Sequence, residues 1–438
     1  MTVTRFAPSP TGHLHIGNLR TALHNWMYAK RHGGRFLLRI DDTDPARSEE
    51  RFVDAIRTDL AWLGLVPDGE ERQSARFDRY EAVFADLVAT GRIYPAYETP
   101  EELDLRRKVL AGRGLPPVYD RAALALTDAD RARMEGEGRT PHWRFRLDHA
   151  PIEWDDMVRG AQRFDGALLS DPVVRRADGS WLYLLPSVID DADMAVTHVV
   201  RGEDHVSNTA TQMQMFAAMG ATPPTFAHEA LLVGSEGKLS KRLGSLGIDH
   251  FRGAGIEPEA VVALLARLGT SDPVEPVTDR QTLIDTFDFA RFGRAPARFD
   301  EAELAQLNTR IVHQLPFERV AATLPADMDA AAWDAVRGNL DRVSDAADWW
   351  QVVTGPVEPA AFDAEDRAFL TTAARVARSI DWDAPWAALT GALKAETGRK
   401  GKALFLPLRL ALTGRAHGPD MAALLPLIGR ERALTRLK

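Results

Sequence analysis

The first forty residues alternate strand, rigid turn, helix and strand, and that order commits the chain to the opening of a parallel α/β sheet. Residues 3–7 read as a short strand. Pro8-Ser9-Pro10-Thr11-Gly12 follows; two prolines in three residues suit neither a helix interior nor a central strand. A helix is predicted from Ile16-Gly17-Asn18, with Leu19, Leu23, Trp26 and Met27 on one face. Gly33-Gly34 ends it. Arg35–Ile40 then reads as a buried strand running into the acidic turn Asp41-Asp42-Thr43-Asp44. Helices around 47–64 and 78–91 continue the alternation.

Residues 95–182 change character. Arg-dense helical stretches (Glu101–Ala111, Asp128–Glu137) alternate with strand-like pieces (Trp143–Leu147, Ile152–Asp155), which reads as an insertion into the sheet domain. A strand at Ala195–Val200 and a helix near Ser207–Met219 resume the α/β pattern. Gly234–Ile248 is a Gly/Ser/Lys loop. From about Glu257 the periodicity is helical, through Ala260–Leu268, Ala302–Leu307, Leu340–Val353, Arg367–Arg378, Trp386–Leu393, Pro407–Leu412 and Met421–Leu437. No internal repeat of 20–50 residues is visible.

Composition sets limits. The 438 residues are 45% hydrophobic, enough to build a packed core, and contain no Cys. Disulfides and thiolate-held zinc or iron–sulfur centres are therefore excluded. No apolar run reaches the ~18 residues of a membrane span, and Met1–Phe6 lacks a signal-peptide pattern, so a cytoplasmic protein with no membrane partner is expected. Net charge is −9, but residues 391–438 hold ten Lys/Arg against three Asp/Glu, a net of +7 that leaves −16 on the other 390. A basic tail on an acidic body fits local binding of a polyanion, or equally a solvated helix end.

Two segments carry chemistry. Pro8 to Asn18 is a strand-to-helix turn that sets His15 and Gly17 at a helix N-terminus. Free N–H groups and the helix dipole favour a phosphate there, a His can donate to its oxygens, and Gly17 permits close approach. A plain Pro/Gly surface turn is the competing reading. The second segment is Lys238-Leu239-Ser240-Lys241-Arg242. Two ammonium groups three residues apart could clamp a triphosphate and stabilise the charge of departing pyrophosphate. A solvated basic loop is the alternative, yet the chain has only eight Lys against forty-six Arg, and a chance Lys-x-x-Lys is expected on the order of 0.15 times.

A His-Ile-Gly helix start followed about 220 residues on by a Lys-x-Ser-Lys loop resembles the paired ATP-site motifs of class I aminoacyl-tRNA synthetases. Arg5-Phe6-Ala7-Pro8-Ser9-Pro10-Thr11-Gly12, Arg20-Thr21-Ala22-Leu23, Leu38–Asp44, Tyr97–Leu103, Val188-Ile189-Asp190-Asp191 and Val200–His205 narrow the resemblance to the glutamyl-tRNA synthetase group. Pro407-Leu408-Arg409, Ala411–Gly414 and Leu427–Arg432 resemble the end of that group's anticodon-binding domain, so the likeness spans the whole chain.

The resemblance implies a Rossmann-like α/β catalytic domain with an inserted α+β acceptor-binding domain, followed by an all-α anticodon-binding domain. Its bounds here are 1–94 and 183–233 for the catalytic halves, 95–182 for the insertion, 234–305 for the Lys loop and stem-contact region, and 306–438 for the helical domain. It implies ATP-dependent ligation of L-glutamate to the 3′ end of tRNA(Glu) through a glutamyl-adenylate, by a monomer, with Mg²⁺ on the ATP and no zinc. Catalytic roles fall to His15, Lys238 and Lys241. ATP contacts fall to Pro8, Thr11, Gly12, His15, Gly17, Asn18, Asp204, His205, Ser240 and Lys241. Glutamate contacts fall to Arg5, Ala7, Ser9, Asp41, Tyr183, Ser187 and Arg201, and tRNA contacts to Arg342 and Arg409. Asp41, Ser187 and Asp204-His205 stand where the group usually has Glu, Asn and Glu-Trp. Each of Arg5 and Arg201 has a second reading as a structural ion-pair partner, and Tyr183 as a core residue. A relaxed duplicate that glutamylates tRNA(Gln), a tRNA-modifying glutamyl transferase, a glutaminyl enzyme, a small-molecule nucleotidyltransferase and a non-catalytic tRNA-binding protein are the rival functions.

Overall fold

Strand β1 (Val3–Phe6) lies parallel to β2 (Arg35–Ile40), which lies parallel to β3 (Gly69–Arg72), and helix α1 (Ile16–Arg31) makes the first crossover. The computed structural model describes residues 1–234, 237–238 (backbone), 247–358 and 360–438. Two compact units emerge: Met1–His250 with Val262–Glu275 and Asp279–Asp300, and Phe251–Val261 with Pro276–Thr278 and Glu301–Lys438.

Helix α1 is buried nearly all round. Leu19, Leu23, Trp26 and Met27 are covered as their spacing requires, and so are Arg20, His24 and Asn25. These polar side chains find partners. The Arg20 guanidinium donates to the Ala230 carbonyl at 3.0 Å, and the Asn25 amide to the Val200 carbonyl at 3.1 Å. His24 pairs with Glu229. The helix stops at Gly33 (φ +58), and Gly34 lies so close to Thr2 that an added Cβ would fall 2.2 Å from the Thr2 carbonyl oxygen.

Helices α2 (Glu50–Trp62) and α3 (Phe77–Ala89) follow in the expected places. Next come β4 (Ile93–Ala96), α4 (Pro100–Gly112), α5 (Asp128–Gly136), β5 (His142–Phe145), β6 (Pro151–Asp156), β7 (Gly160–Asp165) and β8 (Val173–Arg175). β4, β5 and β8 form an antiparallel sheet. The β6–β7 hairpin instead joins a sheet ordered β7-β6-β10-β9, where β9 is His198–Gly202 and β10 is Thr225–Glu229. Helices α6 (Leu184–Asp193) and α7 (Val206–Ala218) flank β9 in sequence. The β9 strand starts three residues later than its hydrophobicity suggests, because Ala195 takes a left-handed turn (φ +51). The Thr197 N–H donates to the Val3 carbonyl at 2.9 Å, and the Val3 N–H to Thr197 Oγ1 at 2.8 Å. These bonds join β1 to the start of β9, so the ends of two chain-distant strands lie side by side.

Three further strands complete this unit. β11 (Leu232–Gly234) pairs antiparallel with β12 (Gly237–Lys238) and parallel with β13 (Ala297–Phe299), a strand with no clear sequence signal because it is only three residues long. Among the described residues no strand follows Phe299. The second unit contains Glu301–Val312, Ala330–Val336, Ala346–Thr354, Ala364–Ser379, Pro385–Thr397, Lys402–Thr413, Met421–Ile428 and Arg430–Arg436. The helix expected from Leu340 begins at Ala346. The run expected as one helix from Met421 to Leu437 is broken at Gly429 (φ +76), a backbone conformation that β-carbon-bearing residues avoid. No described helix is long and apolar enough to cross a membrane.

Candidate active site

Where β1 and β9 end side by side, a cleft of about 740 Å³ opens, the position at which parallel sheets bind ligands. It is lined by Arg5, Ala7, Pro8, Ser9, His15, Gly17, Asn18, Asp41, Tyr183, Ser187, Arg201, Asp204 and His205. The expected glutamate contacts and most of the expected ATP contacts are thus brought together. Thr11 and Gly12 lie on the same turn but outside the lining. Ser240 and Lys241 fall outside the described residues, as does the Lys238 side chain.

The Pro8–Gly12 turn is pinned from both sides. The Asp41 N–H donates to the Pro8 carbonyl at 3.0 Å, and the Glu49 N–H to the Pro10 carbonyl at 3.1 Å. His15 then caps α1. Its Nδ1 accepts from the Gly17 and Asn18 N–H groups at 3.1 and 3.3 Å, and Asn18 Oδ1 accepts from the His15 N–H at 3.2 Å. Such a reciprocal cap is worth about 0.5–2 kcal/mol of helix stability. It also fixes the chemistry of the ring: with Nδ1 accepting, the neutral imidazole carries its hydrogen on Nε2. Desolvation by the surrounding walls lowers the His15 pKa and favours that neutral form. Gly247, where the described chain resumes, pairs with His15 as an antiparallel bridge.

One wall holds a carboxylate–guanidinium cluster. Arg39 is buried at the end of β2. It donates from Nε and Nη2 to the two oxygens of Asp41 at 2.7 and 3.2 Å, and from Nη1 to Asp191 at 2.7 Å. Its Nη2 also donates to Ser187 Oγ at 3.2 Å. Arg5 donates from Nε to the same Asp191 oxygen at 3.2 Å. Asp190 accepts from Gln73, Arg76 and Tyr80 at 2.9, 2.6 and 2.8 Å. Burial lowers the Arg39 pKa, but Asp41 and Asp191 outweigh it and raise the value overall. Burial pushes the Asp41 carboxyl up against the pull of Arg39. For Arg5, the ion-pair reading from the sequence is therefore realised geometrically, through one of its nitrogens.

The opposite wall holds Arg201, which is only 8% exposed. It donates from Nε to His228 Nε2 at 3.3 Å and from Nη2 to Thr209 Oγ1 and Gln212 Oε1 at 2.5 and 2.8 Å. Among the described residues no carboxylate lies within ion-pair distance of it. Burial, with Arg5 nearby, pushes its pKa down to about 10 against the weaker pull of Tyr183, Asp191 and Asp204. A buried, hydrogen-bonded guanidinium with no carboxylate in ion-pair contact favours a bound anion. Tyr183 is 37% exposed, hence on the cleft wall and not in the core, and its hydroxyl lies 3.2 Å from His205 Nδ1.

Sequence reading missed Arg39 and Asp191. The signal was a charge inside the apolar strand Phe36-Leu37-Leu38-Arg39-Ile40, since a buried Arg requires acceptors or counter-charges around it. The acidic turn also resolves into separate tasks: Asp42 accepts from the Ser74 N–H and hydroxyl at 2.8 and 2.7 Å, and Asp44 pairs with Arg47 at 2.8 Å. In the second unit Arg342 is exposed and its stem covers Gly255. Arg409 is partly buried and donates to the Pro419 carbonyl at 2.8 Å, tying its helix to the following loop.

Residues 1–306 match the family model of the class I tRNA synthetase (E and Q) catalytic domain, and residues 306–438 match that of an anticodon binding domain. Similar curated relatives include glutamate–tRNA ligase 1 of Rhizorhabdus wittichii, 69% identical over 100% of this chain and 99% of that protein, and glutamate–tRNA ligase 2 of Erythrobacter litoralis, 66% identical over 100% and 98%. The crystal structure of a glutamate tRNA ligase from Elizabethkingia meningosepticum in complex with its amino acid superposes with a TM-score of 0.85 at 28% identity, covering 100% of this chain and 98% of that one. With both family models tiling its length and relatives matching end to end, the chain belongs to the glutamate–tRNA ligase family of class I tRNA synthetases.

Proposed function

We propose that this chain joins L-glutamate to the 3′ end of tRNA(Glu) in the cytoplasm, using MgATP as co-substrate and acting as a monomer. The single observation that carries the amino-acid assignment is Arg201, buried and without a carboxylate partner among the described residues. In the first step the α-carboxylate oxygen of glutamate attacks the α-phosphorus of ATP, and the bond to pyrophosphate breaks. The α-carboxylate must stay free to react, so the carboxylate that a buried arginine fixes is that of the side chain. Arg201 supplies this contact. Tyr183 walls the pocket, Ala7 and Ser9 contribute backbone and hydroxyl contacts, and the Arg5 nitrogens that do not face Asp191 offer further N–H donors. Asp41 takes the substrate ammonium on lone pairs that Arg39 leaves open, since a carboxylate has about four.

Nε2–H of His15 points the right hydrogen-bonding type at a phosphate oxygen, beside the N-terminus of α1 with Gly17 and Asn18. Asp204 and His205 flank the nucleotide side of the cleft. The two ammonium groups of Lys238 and Lys241, with Ser240 between them, are assigned to the departing pyrophosphate; Gly247, which follows them in sequence, pairs with His15. Positioning and electrostatics carry this step without a covalent enzyme intermediate. The acyl group then passes to a hydroxyl of the terminal ribose, releasing AMP. The insertion (95–182) receives the acceptor end, the 234–305 region contacts the stem, and the helical residues 306–438 read the anticodon, with Arg342 the more accessible of the two arginine candidates.

The test is side-by-side charging of purified tRNA(Glu) and tRNA(Gln) with ATP and labelled glutamate. Charging of tRNA(Glu) alone is the expected result. Charging of both replaces the tRNA assignment with a relaxed one, and charging of neither overturns the proposal.

A further inference from the structure

Four buried guanidiniums line the cleft: two are neutralised by carboxylates, Arg20 donates to the Ala230 carbonyl, and Arg201 has no carboxylate within ion-pair distance among the described residues. Asp191 and Asp41 hold Arg5 and Arg39. Arg201 instead rests on His228, Thr209 and Gln212. Guanidinium nitrogens only donate. The Nε–H of Arg201 therefore requires a lone pair on His228 Nε2, 3.3 Å away, the atom that also lies 2.8 Å from Thr209 Oγ1. On its other side, His228 Nδ1 lies 2.5 Å from Asp156 Oδ2. An ionised carboxylate only accepts, so Nδ1 carries the hydrogen and the ring is neutral. Asp156 is itself fixed, because its Oδ1 accepts from the backbone N–H groups of Val158, Arg159 and His228 at 3.1, 3.0 and 3.1 Å. Both side chains are fully buried. Burial lowers the His228 pKa against the pull of Asp156; Arg201 and Arg159, the cations facing it, push the same way as burial.

We infer that Asp156 and His228 are positioning residues for Arg201, fixing its guanidinium through a neutral acceptor so that its charge is left for the side-chain carboxylate of the substrate. A carboxylate at the place of the imidazole would orient the arginine equally well but cancel its charge, as Asp191 does for Arg5. The pair thereby favours an acid over the corresponding amide. The inference rests on the assignment of Arg201 to the substrate side chain.

The experiment is tRNA charging by the full-length chain, with KM for glutamate, KM for ATP, kcat and inhibition by glutamine measured for D156N, H228N, H228Q and R201Q. D156N keeps shape and the Oδ1 acceptor but offers an N–H to Nδ1, which drives the ring hydrogen to Nε2 against Arg201. H228N loses the acceptor that faces Arg201, whereas H228Q restores an oxygen near the Nε2 position. Expected for D156N and H228N is a rise of about tenfold or more in KM for glutamate, the value of one hydrogen bond to a charged group, with kcat and KM for ATP within about twofold. H228Q is expected within about threefold of the parent. If KM for glutamate stays level in H228N and D156N while R201Q raises it, the positioning role is overturned and the Arg201 assignment stands. If KM for ATP rises in parallel with that for glutamate, the pair is a general structural element and the inference is equally overturned. If R201Q itself leaves glutamate use unchanged, the assignment of Arg201 falls, and this inference with it.

Discussion

The two walls of the cleft solve the same problem, a buried arginine, in opposite ways. On the wall built by β1, β2 and α6, Arg39 and Arg5 meet Asp41, Asp190 and Asp191 within a web of ion pairs. On the wall built by β9, α7 and β10, Arg201 meets a neutral imidazole, a hydroxyl and an amide. The first arrangement is internally balanced and holds shape. The second leaves its arginine without a carboxylate in contact, which is what the proposed role toward a substrate carboxylate requires. Residue type alone does not separate them, since Arg5 and Arg201 matched the same kind of motif position. What separates them is the charge of the neighbours.

The largest effect should come from unbalancing the first wall. D191N leaves Arg5 and Arg39 short of a counter-charge, and breaking a buried pair costs about 3–5 kcal/mol. Thermal unfolding should register this directly. If stability holds while glutamate binding collapses, the cluster is a binding element and the contrast between the walls dissolves. R201Q should act the other way round, lowering kcat/KM for glutamate roughly hundredfold and narrowing the preference over glutamine, with little change in unfolding temperature. A stability loss comparable to that of D191N would show Arg201 to be framework as well.

The same distinction, balanced against unbalanced cations, extends to the helical unit. Arg399 pairs with Glu365 and Asp366, and Arg436 donates to the carbonyls of Leu412, Val353 and Gly355. Lys394, Lys400 and Lys402 are exposed and have no ion pair among the described residues. Removing residues 391–438 would also remove Leu393, Leu404, Leu408, Leu412 and Leu424 from the core, so a truncation tests folding before it tests charge. Replacing the three lysines by Gln should instead reduce the slope of log affinity against log salt by about 0.7–0.9 for each phosphate that is no longer neutralised. An unaltered slope would place the polyanion elsewhere.

The smallest effect concerns pH. Burial lowers the pKa of His228 in the folded chain. The unfolded chain then binds more protons below the ordinary histidine pKa, and stability falls as pH drops from about 7 towards 5. Denaturant unfolding across that range should show the decline, and H228Q should flatten it. An identical pH slope in H228Q would mean that other buried imidazoles carry the dependence; desolvation also lowers His198.

Much of the frame was legible because it rests on local rules. Two prolines and a glycine mark the turn, the apolar spacing of Leu19, Leu23, Trp26 and Met27 marks α1, and a glycine pair ends it. The site was legible as a set of motif positions, and the cleft gathers most of them. Illegible were elements whose signal is not local. β13 is three residues long and depends on β11, which lies far earlier in the chain. Likewise, Asp156 and His228 are separated by 72 residues and become a pair only because β6 and β10 are neighbours. The helix expected from Leu340 and the unbroken run to Leu437 failed on backbone detail, at Ala346 and Gly429, that periodicity does not encode.

The sequence by itself determined the order of strands and helices, the helix start at His15 and the absence of cysteine chemistry, because propensity, turn geometry and composition act over a few residues. Only the tertiary structure decided which arginine is neutralised and which is left charged. That difference is made by Asp191 on one side and His228 on the other, brought in from distant chain positions, and an interaction between charges depends on distance in space and not on distance along the chain.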